Sequence, residues 1–359
     1  MPQLRQDRMT LDERMVALLN RKRTDRIPFY GLAGGFSAKN VGFTVEDFYK
    51  DHTGQAVRNM ALWTSEQYGF QDLRALGSLG LGAVEFGGAM SPPTGEFAQA
   101  PIVSRHPART AEEAWALEPP SDVTKAGAVP MMMGMSKLEQ KAHAPFILLM
   151  MPGSWDVAGS LCGLENLCRW IMKKQDLAHR LLRLATDFIL KVAGYWADTF
   201  DPASIILMDP HPSTSNQIIS ARHFEQFALP YIEETHRRVI AMGVKHIMSH
   251  ICGEQNANLP HWAKIPMGNP GIVSIGHEVD IETAGKFFPN DIIMGNVEPA
   301  IIQVGPPEKI YELTKTCIEK GRSHPGGFML APGCEMPPNA PPYNVWTMTK
   351  ALNDFGWYE

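Results

Sequence analysis

From residue 146 onward, six short apolar runs recur with helical stretches between them. The runs lie at 146–151, 204–208, 244–248, 271–275, 291–294 and 327–330, each bounded by glycine, proline or polar residues. A strand with no apolar–polar alternation is buried on both faces, as in a parallel sheet covered by helices. The stretches between fit that picture. An amphipathic segment spans about 177–200. Ser220 caps a second helix, containing Phe224, Phe227 and Tyr231, that runs to about Met242 with a kink or break at Pro230. Pro306 and Pro307 open another that reaches about Lys320, and a last one covers 345–355. Repeated strand–helix alternation predicts an α/β fold. A short strand at 27–30 and a strand or hairpin near 82–86 bring the count to about eight, the number a (β/α)8 barrel needs. The alternative is an open doubly wound sheet. The glycine-rich stretch at 31–35 has neither the Gly-x-Gly-x-x-Gly turn of such sheets nor a phosphate-loop Lys-Ser/Thr, which favours the barrel.

The remaining segments fit one domain over 1–359 with an N-terminal helical extension. Thr10 and Glu13 form a capping box that opens a helix to about Asn20, and Thr44 and Asp47 repeat the pattern. The stretch 77–129 is rich in glycine, alanine and proline and only weakly periodic, with a short helix near 111–116.

Polar and metal-binding residue types gather just after the strands: Asp209, His250, Cys252, His277, Glu278, Asn296, Glu298 and Cys334. In a barrel of parallel strands this is the end that carries the chemistry. His250 and Cys252 are two residues apart, so on extended chain they point to one side. By this count they follow the fifth strand and Cys334 follows the eighth, and closing the ring can bring all three to one rim. Imidazole nitrogen with two thiolates suits zinc, and three ligands leave the open position of a catalytic site. Taken alone, the His-x-Cys pair also fits a buried small thiol beside a packing histidine; the matching position of Cys334 favours the metal.

Charge and cysteine use narrow the function classes. The net charge of −5 and the lack of basic runs argue against nucleic acid as a partner. No apolar run reaches the ~20 residues of a membrane span. Residues 1–8 are polar and charged, unlike a secretory signal. Five scattered cysteines, an odd number, suit a reducing cytoplasm better than a disulfide framework. The methionine clusters at 131–133 and 150–151 read as adaptable core filling.

Asp25-Arg26-Ile27-Pro28 after the capping box, the Gly153 turn with Gly163-Leu164-Glu165-Asn166, the helix from Ser220 to Pro230, and Gly295-Asn296-Val297-Glu298-Pro299 together resemble the uroporphyrinogen decarboxylase superfamily over nearly the whole chain. His250-Ile251-Cys252-Gly253 with Gly333-Cys334 is similar to the zinc signature of its corrinoid methyltransferase branch, typified by methylcobamide:coenzyme M methyltransferases. The decarboxylases themselves carry arginines after the first strand for a polycarboxylate substrate. Here that place reads Gly31-Leu32-Ala33-Gly34-Gly35-Phe36, so decarboxylation is disfavoured.

The resemblance implies a (β/α)8 barrel with zinc on His250, Cys252 and Cys334. It also implies methyl transfer between a corrinoid, methylcobalamin on a partner protein, and a small acceptor or donor such as a thiol or tetrahydrofolate. The partner is required because the chain has no Asp-x-His-x-x-Gly corrinoid motif. Glu278, Asp209 and His277, with Glu298, are the candidates for the surrounding shell, and Glu278 is the best of them as an extra ligand or a zinc-dependent gate. Two other readings stay open: a decarboxylase-type lyase, or a non-catalytic corrinoid-binding protein with a structural zinc.

Overall fold

The computed structural model describes residues 5–50, 54–72, 74–75 and 80–358. Two antiparallel strands, β1 (Ala89–Ser91) and β2 (Ile102–Arg105), make a small hairpin apart from the main sheet. The main sheet is parallel, in the order β3 (Ile147–Met150), β4 (Ile205–Pro210), β5 (His246–Ile251), β6 (Ile272–Ile275), β7 (Ile292–Val297) and β8 (Phe328–Pro332). Beyond β8 the ring continues through single parallel bridges, Leu330 to Phe29 and Tyr30 to Gln71. These two short segments take the first two places of the eight. Gln71 and Leu148 line one small cavity together, where the ring comes round to β3. The fold is a (β/α)8 barrel.

The period-2 alternation of strand side chains sorts the core into two shells. Leu148, Ile206, Met208, Met248, Ile272, Met294, Met329 and Ala331 pack together inside the ring. Ile147, Leu207, Ile247, Val273, Ile293 and Leu330 face outward into a second core shared with the helices. The same parity assigns the polar residues at the strand ends. His250 follows Met248 by two and faces the lumen; Asp209 follows Leu207 by two and faces the helices.

The helices at 11–19 and 111–116 form behind Thr10 and Thr110, each with a reciprocal capping box. The helix after Ser220 stays continuous through Pro230. It relaxes into a π-helical turn at Phe224–Ala228 just before Leu229–Ala241 begins. A π turn immediately ahead of a proline accommodates the missing backbone donor without breaking the rod. Residues 82–86, expected as a strand or hairpin, are a run of turns; the hairpin is β1–β2, and residues 70–71 supply the second barrel position. The helices at 34–40, 55–68, 129–141 and 164–173 have no counterpart in the sequence reading. No described helix is long and apolar enough to cross a membrane.

Arg14 and Asp25, 1% and 4% exposed, pin the first helix to the floor of the barrel. Arg14 donates to both oxygens of Asp25 at 2.7 and 2.9 Å, and the amides of Arg8, Met9 and Arg26 donate to the same carboxylate. Burial pushes the Asp25 carboxyl up, but these donors outweigh it and bring it down to about 2. Its contribution to stability is therefore complete above about pH 4 and is lost as the pH falls through 4 toward 2. We expect Asp25→Ala to lower unfolding stability by about 3 kcal/mol at pH 7, with the gap to wild type closing below pH 4. Urea unfolding at both pH values checks this. A gap of the same size at pH 7 and at pH 2.5 would show that the ion pair is not its source.

Candidate metal centre

His250 and Cys252 sit at the C-terminal end of β5, and Cys334 lies two residues beyond β8. Their donor atoms all fall within 4.8 Å of one another. Cys252 Sγ and Cys334 Sγ are 3.6 Å apart. Two thiolates on one tetrahedral zinc with bonds of about 2.3 Å would stand about 3.8 Å apart. His250 Nδ1 hydrogen-bonds Ser274 Oγ at 2.9 Å, while Nε2 is buried with no hydrogen-bond partner. A buried acceptor left without a partner is costly unless something binds it. Two sulfurs and the orphaned imidazole nitrogen fit a zinc ion held by these three side chains.

The electrostatics of the site are those of a thiol–thiolate pair. The hydrogen bond from Cys252, with His250 beside it, holds the Cys334 thiol well below its ordinary value against the opposing effect of burial. Cys252 moves up, through the same bond, burial and the nearby charges of Cys334, Glu278 and Asp156.

The loops are tightly fitted around these three side chains. The Gly333 amide donates to Val297 O, and a Cβ on Gly333 would stand 2.8 Å from the His277 backbone nitrogen. Only glycine lets the chain leading to Cys334 pass this close to its neighbour. Asn296 Nδ2 donates to Gly276 O and Val279 O, tying β7 to the loop that carries His277 and Glu278.

The other residues singled out from the sequence divide into two groups. Glu278 is near enough for its charge to act on Cys252; its Oε2 is buried without a hydrogen-bond partner, 3.4 Å from His277 Nδ1. His277 itself is 40% exposed and, with Glu298 and Asn296, lines a separate cavity of about 270 Å³ beside Lys320. Asp209 lies behind the barrel wall. Its Oδ2 accepts from His211 Nε2 at 2.9 Å and His236 Nε2 at 2.6 Å, and its Oδ1 accepts from Ser249 Oγ at 2.6 Å. Burial pushes this carboxyl up, but His236 and His211 outweigh it and hold the group below the ordinary carboxylate range.

Beyond Asp209 the polar chain continues toward the mouth. His211 Nδ1 and Asp156 Oδ2 are 4.0 Å apart, both buried and without hydrogen-bond partners. Burial brings the Asp156 carboxyl up to about 6. A Cβ on Gly153 would stand 2.2 Å from the His211 ring, so glycine at that turn makes room for it.

Three contributors were missed in the sequence. Ser274 orients His250; the signal was there, because it follows Ile272 by two and so faces the lumen. Glu335 lines the chamber beside Cys334. Asp72 accepts from Ala33 N at 2.8 Å and from Ser37 Oγ, fixing the helix at 34–40 over the mouth. Outer partners of this kind set ligand orientation and tautomer. We expect Ser274→Ala to weaken zinc binding about 10–100-fold, read by competition with a chromophoric chelator. Unchanged affinity would mean that Ser274 does not set the tautomer of His250.

The uroporphyrinogen decarboxylase (URO-D) family profile matches residues 10–355. A methylated-thiol–coenzyme M methyltransferase of Methanosarcina mazei is 27% identical over 207 residues, 56% of this chain and 53% of that protein. A methylcobamide:CoM methyltransferase of Methanosarcina acetivorans is 27% identical over 182 residues, half of each chain. One from Methanosarcina barkeri (strain Fusaro) is 24% identical over 242 residues, 66% of this chain and 67% of that protein. The chain thus spans about half the length of the first two relatives. A solved methyltransferase from Methanosarcina mazei shares the fold at a TM-score of 0.79, with 23% identity, over 97% of this chain and 99% of that one.

Proposed function

The chain belongs to the uroporphyrinogen decarboxylase family, and within it we propose a zinc-dependent methyltransferase that moves a methyl group between a corrinoid on a partner protein and a small thiol. The observation that carries this reading is the meeting of His250 Nε2, Cys252 Sγ and Cys334 Sγ at the mouth of the barrel. It agrees with the activities for which the methyltransferase relatives are named.

Zinc on these ligands would supply a Lewis acid that lets a substrate thiol lose its proton near neutral pH. The chain's own residues do the rest. Two thiolates and a neutral imidazole balance the ion's charge, so a bound thiolate keeps its nucleophilicity. Ser274 holds the ring of His250 so that Nε2 faces the site. Of the three candidates for the surrounding shell, Glu278 enters the proposal beside the ligand set; Asp209, behind the wall, and His277, on a separate cavity, stand farther off. The lumen floor, made of methionine, leucine and isoleucine side chains, keeps water from below. A corrinoid on the partner would supply the methyl group, keeping the electron pair of the broken Co–C bond as the substrate's S–C bond forms, and the thiol proton would leave to solvent.

The test is pure protein, assayed for zinc, mixed with methylcobalamin and a panel of thiols or tetrahydrofolate. We expect bound zinc and zinc-dependent loss of methylcobalamin with at least one acceptor, and no conversion of uroporphyrinogen to coproporphyrinogen. Decarboxylation of uroporphyrinogen by the same preparation would replace this reading with the lyase.

A further inference from the structure

The barrel mouth holds a chamber of about 120 Å³ whose wall includes both His250 and Cys334. The rest of its lining is mostly apolar: Leu32 and Phe48 from the first strand–helix unit, and Met150 and Met208 from the ends of β3 and β4. The acidic group in the wall is Glu335, whose carboxyl accepts from the Gly35 amide at 3.3 Å. Lys39, on the adjoining helix, is turned to the rim, where its ammonium meets Glu96 O and the Asn339 side chain.

On the methyl-transfer reading, we propose that this chamber selects an uncharged, apolar thiol, with the matching methyl thioether as its product, over an anionic thiol. A sulfonate or carboxylate tail drawn in beside the candidate ligands would leave water for methylene and thioether walls. It would also face a carboxyl group rather than a cation. A charge buried that way is tolerated only with a counter-charge and hydrogen bonds. An alkyl tail gains from the same walls by leaving water. Size sets the other limit. An apolar cavity of about 150 Å³ holds benzene, so about 120 Å³ holds roughly five heavy atoms. The preferred substrate is thus a short alkanethiol, in contrast to coenzyme M, the sulfonate thiol in the relatives' names.

The experiment uses the zinc-loaded full chain, methylcobalamin as donor, and ethanethiol, butanethiol, hexanethiol and 2-mercaptoethanesulfonate as acceptors. We expect kcat/KM to rise from ethanethiol to butanethiol, fall at hexanethiol, and be at least about 100-fold lower for the sulfonate. Titration calorimetry with the corresponding methyl thioethers should give the same order in binding. A sulfonate used as well as butanethiol overturns the proposal. Turnover of no thiol at all overturns the thiol-methylating reading instead, and the calorimetry still decides the charge preference of the chamber. Met150→Arg adds a cation to the wall at a half-buried position. It should shift the ratio of kcat/KM values toward the sulfonate by about tenfold. An unchanged ratio in a folded variant would put the substrate tail outside the chamber and contradict the proposal.

Discussion

Cys334→Ala yields a folded barrel that holds zinc weakly and transfers no methyl groups above background. The cysteine lies on the loop past β8, a strand buried along its whole length. Function on such loops can be lost without touching the core. Removing the sulfur takes away one negative charge and one of three donors. A thiol arriving at a metal-free or half-held site keeps its ordinary affinity for its proton, so little thiolate is present at pH 7. Stability should change by no more than about 0.5–3 kcal/mol, the common range for a point substitution. His250→Ala should behave alike, since Nε2 is the only nitrogen donor in the cluster of described residues. A structural zinc predicts the reverse, because losing the metal would then unfold the domain. Thermal unfolding of both variants beside a methylcobalamin assay separates the two. A steep fall in Tm that tracks zinc loss would support the structural role.

The second large effect lies behind the wall. His236 Nδ1 is 2.8 Å from Pro266 O, which can only accept, and Nε2 is 2.6 Å from Asp209 Oδ2. The Asp209 carboxylate, held ionised, thus sits against a His236 ring that is hydrogen-bonded at both nitrogens. Both residues are buried, at 0% and 3% exposure. Removing the carboxylate strands the three buried donors that bond it, from His211, His236 and Ser249, at a cost of about 3–5 kcal/mol in all. We therefore expect Asp209→Ala to lose about that much, far more than Cys334→Ala, and to loosen the end of β4 together with His211. Urea denaturation of the single variants and of the Asp209→Ala, His236→Ala double variant measures it. The double variant should lose much less than the sum of the singles. A loss of under 1 kcal/mol for Asp209→Ala would show that these buried hydrogen bonds add little net stability.

The legible parts of the fold were those governed by local rules. Strands buried on both faces read as unbroken apolar runs, and all six of the main sheet stood out for that reason. The first helix announced itself through Thr10 and Glu13. The second barrel position did not, because it rests on a single bridge at Gln71 within Phe70-Gln71-Asp72, a segment with no apolar run. Residues 82–86 misled for the opposite reason. Glycine and alanine turns packed into the core carry the composition of a strand without its period.

The same division holds at the site. That His250, Cys252 and Cys334 meet was legible because the barrel brings the ends of β5 and β8 to one mouth. Asp209 was grouped with them by its position at a strand end. The structure puts it on the outer face with His211 and His236, a partnership that spans 27 residues and has no local pattern. Parity along β4 separates lumen from wall only once the inward set is known.

On this account, methyl transfer runs through a metal held by these three side chains. The most direct measurement titrates zinc into metal-free protein while following methylcobalamin demethylation by butanethiol or, failing that, the best acceptor found. The expected result is a rate proportional to bound zinc that levels off at one ion per chain, with no such rise in His250→Ala or Cys334→Ala. A full rate in protein shown to be free of metal would contradict it.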